Sequence, residues 1–216
     1  MRQMCIWGGT YTEYISTYIA HEKKIATVKT AVRLFALSFI FSVLNAAVCY
    51  ILKESILFIA QFILCVVALA FIVASIVRKA DPKIAILCNA VQFTYLSVVF
   101  ILFSYLSLLS AVPASPAFLL YAILMYLACS AAILFIMLRR IKSGKFMHAS
   151  GIAAPTAAFG ICGGAVGGVM LNVFAAGVSY ETIVAVAVIL SLAVSAFFSA
   201  GSHLYLYFYY CIKYRL

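Results

Sequence analysis

The sequence predicts an all-α membrane protein, a bundle of six transmembrane helices with both termini cytoplasmic and an amphipathic interfacial helix before the first span. Three observations lead to this prediction. Hydrophobic residues make up 68% of the chain and charged residues 9%, whereas soluble domains are about one-quarter charged. Uncharged runs of about 20 residues recur, each long enough to cross a hydrocarbon layer about 30 Å thick. The basic residues, finally, fall almost entirely on one predicted side.

Fourteen of the fifteen lysines and arginines lie in segments that this topology places in the cytoplasm, and Lys53 is the exception. Membrane proteins keep basic loops in the cytoplasm, so the distribution predicts the orientation. Anionic lipid headgroups at the cytoplasmic face are the expected partner for the net charge of +10, and nucleic acid is not. Short loops and compact size favour a bacterial cytoplasmic membrane.

Residues 1–30 are predicted to form a cytoplasmic amphipathic segment ahead of a six-helix domain that comprises residues 31–216. Its aromatic residues recur at helical spacing: Trp7, Tyr11, Tyr14 and Tyr18. Because Trp and Tyr rings favour the headgroup level of a bilayer, we expect this face to anchor the segment in the interface. Docking of a cytoplasmic partner on the same face is the alternative.

The first two spans are predicted at residues 32–52 and 55–77. Both carry mildly polar faces within apolar runs. Gln61 and Cys65 share a face in the outer half of the second span. The first span has a single polar stripe: Ser38, Ser42, Asn45 and Cys49.

The third and fourth spans are predicted at residues 84–109 and 117–138. The third span is the most polar, with Asn89 and Gln92 as neighbours on one face. The fourth span ends in the strongest cytoplasmic signal of the chain, a basic cluster that could also dock a partner: Arg139, Arg140, Lys142 and Lys145.

The fifth and sixth spans, predicted at residues 151–177 and 182–210, form a hairpin rich in small residues. Small residues at four-residue spacing let membrane helices approach closely, as in a glycine zipper. We therefore expect these two helices to form the tightest contact in the molecule. The packing residues are Gly160, Gly163, Gly164, Gly167 and Gly168 on the fifth span and Ser191, Ser195 and Ser199 on the sixth.

Catalytic chemistry has little support in the sequence. None of the five acidic residues is predicted at membrane depth, so the spans lack paired carboxylates for acid–base chemistry or for a hard cation. The three histidines are scattered, and the seven cysteines include no Cys-x-x-Cys pair. We therefore expect no enzyme activity, no cofactor and no metal site.

Amide side chains inside the apolar runs are the best candidates for a functional site. A buried amide costs free energy unless it is hydrogen-bonded, so each should face another helix or a polar route rather than lipid. His203 is the ionisable group nearest to membrane depth, and it could act as a switch or lie at the interface. The candidate polar pathway comprises Asn45, Gln61, Asn89, Gln92, Asn172 and His203.

These features favour a transporter, or the permease-like membrane subunit of a transport complex, for a neutral or amphipathic solute. The layout is similar, in topology alone, to the membrane subunits of ATP-driven exporters, which implies ATPase or membrane partner subunits. The alternative is a non-catalytic structural, assembly or immunity subunit of a larger membrane complex. The absence of an ionisable core and the small-residue packing faces favour that alternative.

Overall fold

A computed structural model describes residues 11–25, 27–78, 82–112, 116–143 and 179–213, and this part of the chain is helical without strands. A 3₁₀ turn, Ser199–Ser202, joins the last two helices. In chain order the helices are α1 (Tyr11–Ile25), α2 (Val28–Leu52), α3 (Ser55–Val77), α4 (Pro82–Ala111), α5 (Pro116–Lys142), α6 (Tyr180–Phe198) and α7 (His203–Lys213).

Five stretches in the described part of the chain are long and apolar enough to cross a membrane: α2, α3, α4, α5 and the combined α6–α7 stretch. They confirm helices at the predicted first, second, third, fourth and sixth spans. The predicted fifth span, residues 151–177, lies outside the described residues, and so do residues 1–10 of the N-terminal segment.

The sixth stretch departs from the expected single helix, because the 3₁₀ turn interrupts it. Side chains of the turn bond to nearby backbone carbonyl groups. The Ser199 hydroxyl donates to the Ala196 carbonyl oxygen at 2.5 Å, and Nδ1 of His203 bonds to the Ala200 carbonyl oxygen. Serine hydroxyl groups that bond the backbone in this way compete with regular helix geometry. The chain therefore stays helical through this turn but leaves α-helical geometry between α6 and α7.

Two residues, Lys53 and Glu54, join α2 to α3. Lys53 adopts the left-handed conformation with φ of 59°, and its N–H donates to the carbonyl oxygen of Tyr50 at 3.3 Å. The N–H of Glu54 donates to the carbonyl oxygen of Cys49 at 2.9 Å. These bonds satisfy carbonyl groups at the end of α2, as helix C-caps do. The chain can therefore reverse direction within one short turn.

Helix α4 is the centre of the bundle. It packs against α2, α3, α5, α6 and α7. In its most apolar window 67% of the residues are buried, whereas the other four spanning stretches have between 6% and 39% buried. The position agrees with its composition, because a helix with several amide and hydroxyl side chains needs protein neighbours rather than lipid.

One end of the bundle, which we call the basic end, carries most of the described basic side chains. A buried cluster there joins α1 to the start of α4, the end of α5 and α7 through Tyr14, Ile86, Ile141 and Tyr207. Several basic residues lie close to this cluster, within about one helical turn of it along the chain. They are Lys83, Arg139, Arg140, Lys142 and Lys213.

Candidate functional site

Four amide side chains of the predicted pathway lie together where α2, α3 and α4 meet. Two of them, Asn89 and Gln92, are three residues apart on α4, so they share one face of that helix. At a rise of 1.5 Å per residue, the row from Asn89 to the Val99 carbonyl extends about 15 Å along α4. We use the name polar seam for six buried side chains: Ser42, Asn45, Gln61, Asn89, Gln92 and Tyr95.

At the basic end of the seam, Asn89 and Gln92 tie α4 to its neighbours. Nδ2 of Asn89 donates to the carbonyl oxygen of Thr27, just before α2, at 2.9 Å and to that of Ala85 at 2.7 Å. Nε2 of Gln92 donates to the carbonyl oxygen of Ala68 on α3 at 2.9 Å. Both amides are fully buried. They therefore connect three helices through their nitrogen atoms.

In the middle of the seam, the Ser42 hydroxyl joins α2, α3 and α4. Its oxygen lies 2.7 Å from the carbonyl oxygen of Ser38, 2.6 Å from Oη of Tyr95 and 2.7 Å from Nε2 of Gln61. A hydroxyl group has one donor and two acceptor positions. All contacts are satisfied when Ser42 donates to Ser38 and accepts from Tyr95 and Gln61. The hydrogen-bonding capacity of Ser42 is then used completely.

At the far end of the seam, Nδ2 of Asn45 donates to the carbonyl oxygen of Val99 at 3.0 Å. Each of the four amides thus uses its nitrogen. The four amide oxygens, by contrast, have no hydrogen-bond partner within the described residues. A buried acceptor left unpaired costs about 1–3 kcal/mol. The seam therefore contains four buried acceptor atoms whose hydrogen-bonding capacity is unused among the described residues.

The surroundings of these oxygen atoms are neutral. In the described part of the chain, the buried polar side chains are serine, asparagine and glutamine, together with tyrosine hydroxyl groups. The same residues contain no group of three side chains suited to hold a metal ion. The seam thus has the chemistry to bind a neutral hydrogen-bond donor, whereas an ion would enter it without a counter-charge.

His203 does not belong to the polar seam. It begins α7, and its carbonyl oxygen accepts a hydrogen bond from Oη of Tyr18 at 3.0 Å. Its ring bonds the backbone of its own turn rather than a seam residue. Asn172, the remaining member of the predicted pathway, lies outside the described residues. The structure therefore brings four of the predicted residues together and places His203 apart from them.

The aromatic residues predicted to dock a partner divide in a similar way. Tyr14 and Tyr18 are fully buried in the cluster that joins α1 to the bundle, and the rings of Tyr18 and Tyr207 meet edge to face at 5.9 Å. These two tyrosines lie inside the protein rather than on a surface open to headgroups or to a partner, because the bundle itself covers them. Trp7 and the side chain of Tyr11 lie outside the described part.

Arg139 and Arg140, the predicted basic docking residues, lie in the last turn of α5, and both are exposed. Cations near a helix C-terminus interact favourably with the helix dipole and remain available to anions from outside. Their contact with headgroups or with a partner subunit stays a prediction.

The small residues of the sixth span pack against α4. Ser191 and Ser195 are buried, and the Ser97 hydroxyl donates to the carbonyl oxygen of Ser195 at 3.3 Å. Ser199 is also buried, within the 3₁₀ turn. The close approach of the two helices is the property expected of small residues. Their predicted partners on the fifth span, Gly160, Gly163, Gly164, Gly167 and Gly168, lie outside the described residues.

A second polar cluster, absent from the sequence prediction, connects α4 to α5 and α7. Oγ1 of Thr94 lies 2.9 Å from Oη of Tyr205 and accepts a hydrogen bond from Oη of Tyr126 at 3.4 Å. The prediction also omitted Tyr95 from the seam. The available signal was the presence of tyrosines well inside apolar spans, because a buried tyrosine hydroxyl needs a partner.

No model of a known protein family matches this chain, and neither a curated protein nor a solved structure shows significant similarity to it.

Proposed function

We propose that this chain is a multi-pass membrane protein that transports a small neutral or amphipathic solute, alone or as the permease-like subunit of a transport complex. The observation that carries the proposal is the set of four amide oxygens on the polar seam that have no hydrogen-bond partner among the described residues. Acceptors that remain unpaired in a buried site cost free energy, which a visiting donor would recover. A solute that passes along the seam would supply hydrogen-bond donors to these oxygen atoms, whereas helix packing within the described residues supplies none.

The neutrality of the solute follows from the side chains of the seam. Acceptor oxygens bind hydroxyl, amide or amine N–H groups, and no charged residue lies among them in the described chain. An ion brought into such a site without a counter-charge would pay a large desolvation cost. We therefore expect polyols, amides or uncharged amphiphiles rather than ions as solutes.

The basic end supports a proposed orientation and a proposed set of partners. Basic residues near membrane helix ends mark the cytoplasmic side, and they attract anionic headgroups. We place Arg139 and Arg140 at the cytoplasmic face of a bacterial cytoplasmic membrane, where an ATPase or second membrane subunit could also bind. Lys53, in the turn between α2 and α3, then lies on the extracellular side of that membrane.

The second candidate is a structural, assembly or immunity subunit without transport activity. Its support is that every seam amide also ties two segments together through its nitrogen. Helix α5 further presents a broadly exposed apolar surface in the described structure, with 6% of its most apolar window buried. Such a surface suits packing against another membrane subunit as well as against lipid.

Two measurements separate the candidates. The first is purification from native membranes in mild detergent, with the co-purifying chains identified by mass spectrometry. A stoichiometric ATPase or second permease would support transport. The second reconstitutes the purified protein, or its native assembly, in liposomes and follows vesicle volume by light scattering after mixing with glycerol, urea or larger polyols.

Variants on two faces of α4 make the liposome measurement specific. We expect Asn89→Leu and Gln92→Leu to reduce solute flux about tenfold or more while the protein still inserts, since each removes an acceptor from the route. Thr94→Val, which removes a hydroxyl from the other polar cluster, is the matched control and should keep the flux. Vesicles no more permeable than empty liposomes, with neither an ATPase nor a second permease in the assembly, would refute transport and leave the structural role.

A further inference from the structure

A groove on the outer surface of α2 and α3 lies over the middle of the polar seam, since Ser42 and Gln61 belong to its lining. It has a volume of about 120 Å³. Its rim consists of the exposed side chains of Phe39, Val43, Phe58 and Phe62, and its floor includes Ser42 and Gln61. Ala46 and Cys65 complete the lining. The surface of the groove is thus almost entirely apolar, and the largely covered polar side chains of Ser42 and Gln61 lie at its floor.

The floor has one hydrogen-bonding position to spare. Ser42 is saturated by Ser38, Tyr95 and Gln61, as the distances require. Because Ser42 donates its only proton to Ser38, only an N–H group of Gln61 can bond to it, which fixes the orientation of the amide. Oε1 of Gln61 then has no partner in the described chain, although Gln61 is only 3% exposed.

We propose that this groove binds a neutral amphiphile from the bilayer, an aliphatic chain that ends in a hydroxyl group, with the hydroxyl donating to Oε1 of Gln61. The spare position is an acceptor, so the guest has to supply the donor. The aromatic rim would hold the first methylene groups of the chain, and the remainder would extend into the lipid. Because Oε1 of Gln61 is itself buried, binding of the guest requires the Gln61 side chain to turn towards the groove.

The size and charge of the groove limit the guest. Its volume is about four times the roughly 30 Å³ that one water molecule occupies in the liquid, which suits a hydroxyl group and about three methylene groups. The lining contains no ionisable acid or base other than the Cys65 thiol. A phosphate, carboxylate or ammonium head would therefore be buried without a partner, and such burial is strongly unfavourable.

The proposal extends the transport hypothesis. It rests on that hypothesis only where the groove is taken as a lateral entrance for the solute to the polar seam. Binding itself does not require transport. The two ideas can therefore fail separately. Loss of binding with intact solute flux would contradict the groove proposal alone. Binding in an assembly that shows no flux and contains neither an ATPase nor a second permease would contradict transport alone.

The test uses the full-length protein in phosphatidylcholine vesicles with a photoreactive long-chain primary alcohol that carries a diazirine beside the hydroxyl. The comparison probe is the methyl ether of the same alcohol, which keeps the chain and lacks the donor. After irradiation, peptide mass spectrometry maps the labelled residues. We expect residues 39–46 and 58–65 to be labelled about two- to tenfold more by the alcohol than by the ether, the ratio that one net hydrogen bond supplies.

Three variants complete the experiment. Gln61→Leu should abolish the difference between alcohol and ether. Ala46→Phe should fill the groove and reduce labelling by both probes, whereas Ala70→Phe, on the exposed surface of α3 outside the groove, should change neither. Equal labelling of the unmodified protein by the two probes would overturn the proposal, and so would undiminished labelling of the Ala46→Phe protein. These two results do not depend on whether Gln61→Leu folds.

Discussion

Oη of Tyr18 on α1 donates a hydrogen bond to the backbone carbonyl oxygen of His203, at a distance of 3.0 Å. The bond joins the N-terminal helix to the point where the 3₁₀ turn gives way to α7. Tyr18 is fully buried, and its ring also meets that of Tyr207. The N-terminal helix is therefore fastened to the last helix of the bundle by both polar and apolar contacts.

Removing this bond should loosen α1. We expect Tyr18→Phe to destabilise the attachment by about 1 kcal/mol, the net value of one hydrogen bond, and Tyr18→Ala to cost more through lost packing. Hydrogen exchange of residues 11–25 in detergent measures the effect. Ser16→Ala, at an exposed position of the same helix, is the control. Unchanged exchange in both Tyr18 variants would show that α1 is held by other contacts.

Ser42→Ala should be among the most destabilising hydroxyl deletions in the described chain. It would leave the Tyr95 hydroxyl and the Gln61 amide nitrogen without their observed acceptor. Buried donors that lose their partners cost about 1–3 kcal/mol each. Thermal unfolding in detergent checks the loss. The matched control is Ser38→Ala, because among the described residues the Ser38 hydroxyl bonds the Leu34 carbonyl of its own helix and no other helix.

A double variant tests whether the Ser42 effect arises from the seam. Tyr95→Phe removes the donor that Ser42→Ala strands, so the two changes together should cost less than the sum of the single costs. Strict additivity would mean that the bond between these side chains contributes nothing to stability.

Ser195 should respond in opposite directions to two substitutions. Its hydroxyl is buried and has no hydrogen-bond partner among the described residues, while its carbonyl oxygen accepts from Ser97. Ser195→Ala removes an unpaired polar atom, so stability should stay the same or rise by up to about 1 kcal/mol. Ser195→Leu should force α4 and α6 apart and cost about 1–3 kcal/mol or more.

Thermal unfolding again measures both Ser195 variants. Ala193→Leu, at an exposed position of α6, adds the same bulk away from α4 and should have little effect. A destabilised Ser195→Ala protein would indicate that the hydroxyl has a partner that the described residues do not include.

Phe93 lies so close to Gly201 that a residue with a β-carbon does not fit at position 201. A β-carbon added at Gly201 would lie 2.2 Å from Cγ and 2.3 Å from Cβ of Phe93, so no rotation of the ring could relieve the clash. We expect Gly201→Ala to lower stability by about 1–3 kcal/mol, measured as a shift of the thermal midpoint. Ala200→Ser, at an exposed position of the same turn, should be neutral. A neutral Gly201→Ala would mean that the turn can shift at little cost.

Much of the fold could be predicted, because long apolar runs leave the backbone few ways to satisfy its own hydrogen bonds. A run of about 20 apolar residues has to satisfy its own backbone, and only a helix does so within one segment. Helical periodicity also gave the inner face of α2 correctly, since Ser38, Ser42, Asn45 and Cys49 are all buried. Within the described chain, the helices therefore lie where the sequence placed them.

The partners of the polar side chains could not be predicted. Periodicity indicates which face of a helix turns inward, but it does not say which neighbour that face meets. Asn89 donates to the carbonyl oxygen of Thr27, a backbone atom outside any span. A pattern of side chains cannot predict a backbone acceptor of this kind.

The N-terminal helix shows a related limit. An amphipathic aromatic face suits a lipid interface and a protein core equally well, so Tyr14 and Tyr18 could be read either way from the sequence. The interruption at Ser199–Ser202 was hidden for another reason. Its serine and glycine residues are tolerated in membrane helices and hardly lower the average apolarity of the stretch.

The central position of α4 has a consequence for the order in which the protein is made. The ribosome delivers α2 and α3 before α4, so the acceptors of Asn89 and Gln92 are already present when α4 is made. The opposite face of α4, with Ser97 and Thr94, has to wait for α6 and α7 at the end of the chain. A nascent chain stopped after α5 would therefore hold an α4 whose contacts with α6 and α7 have not yet formed.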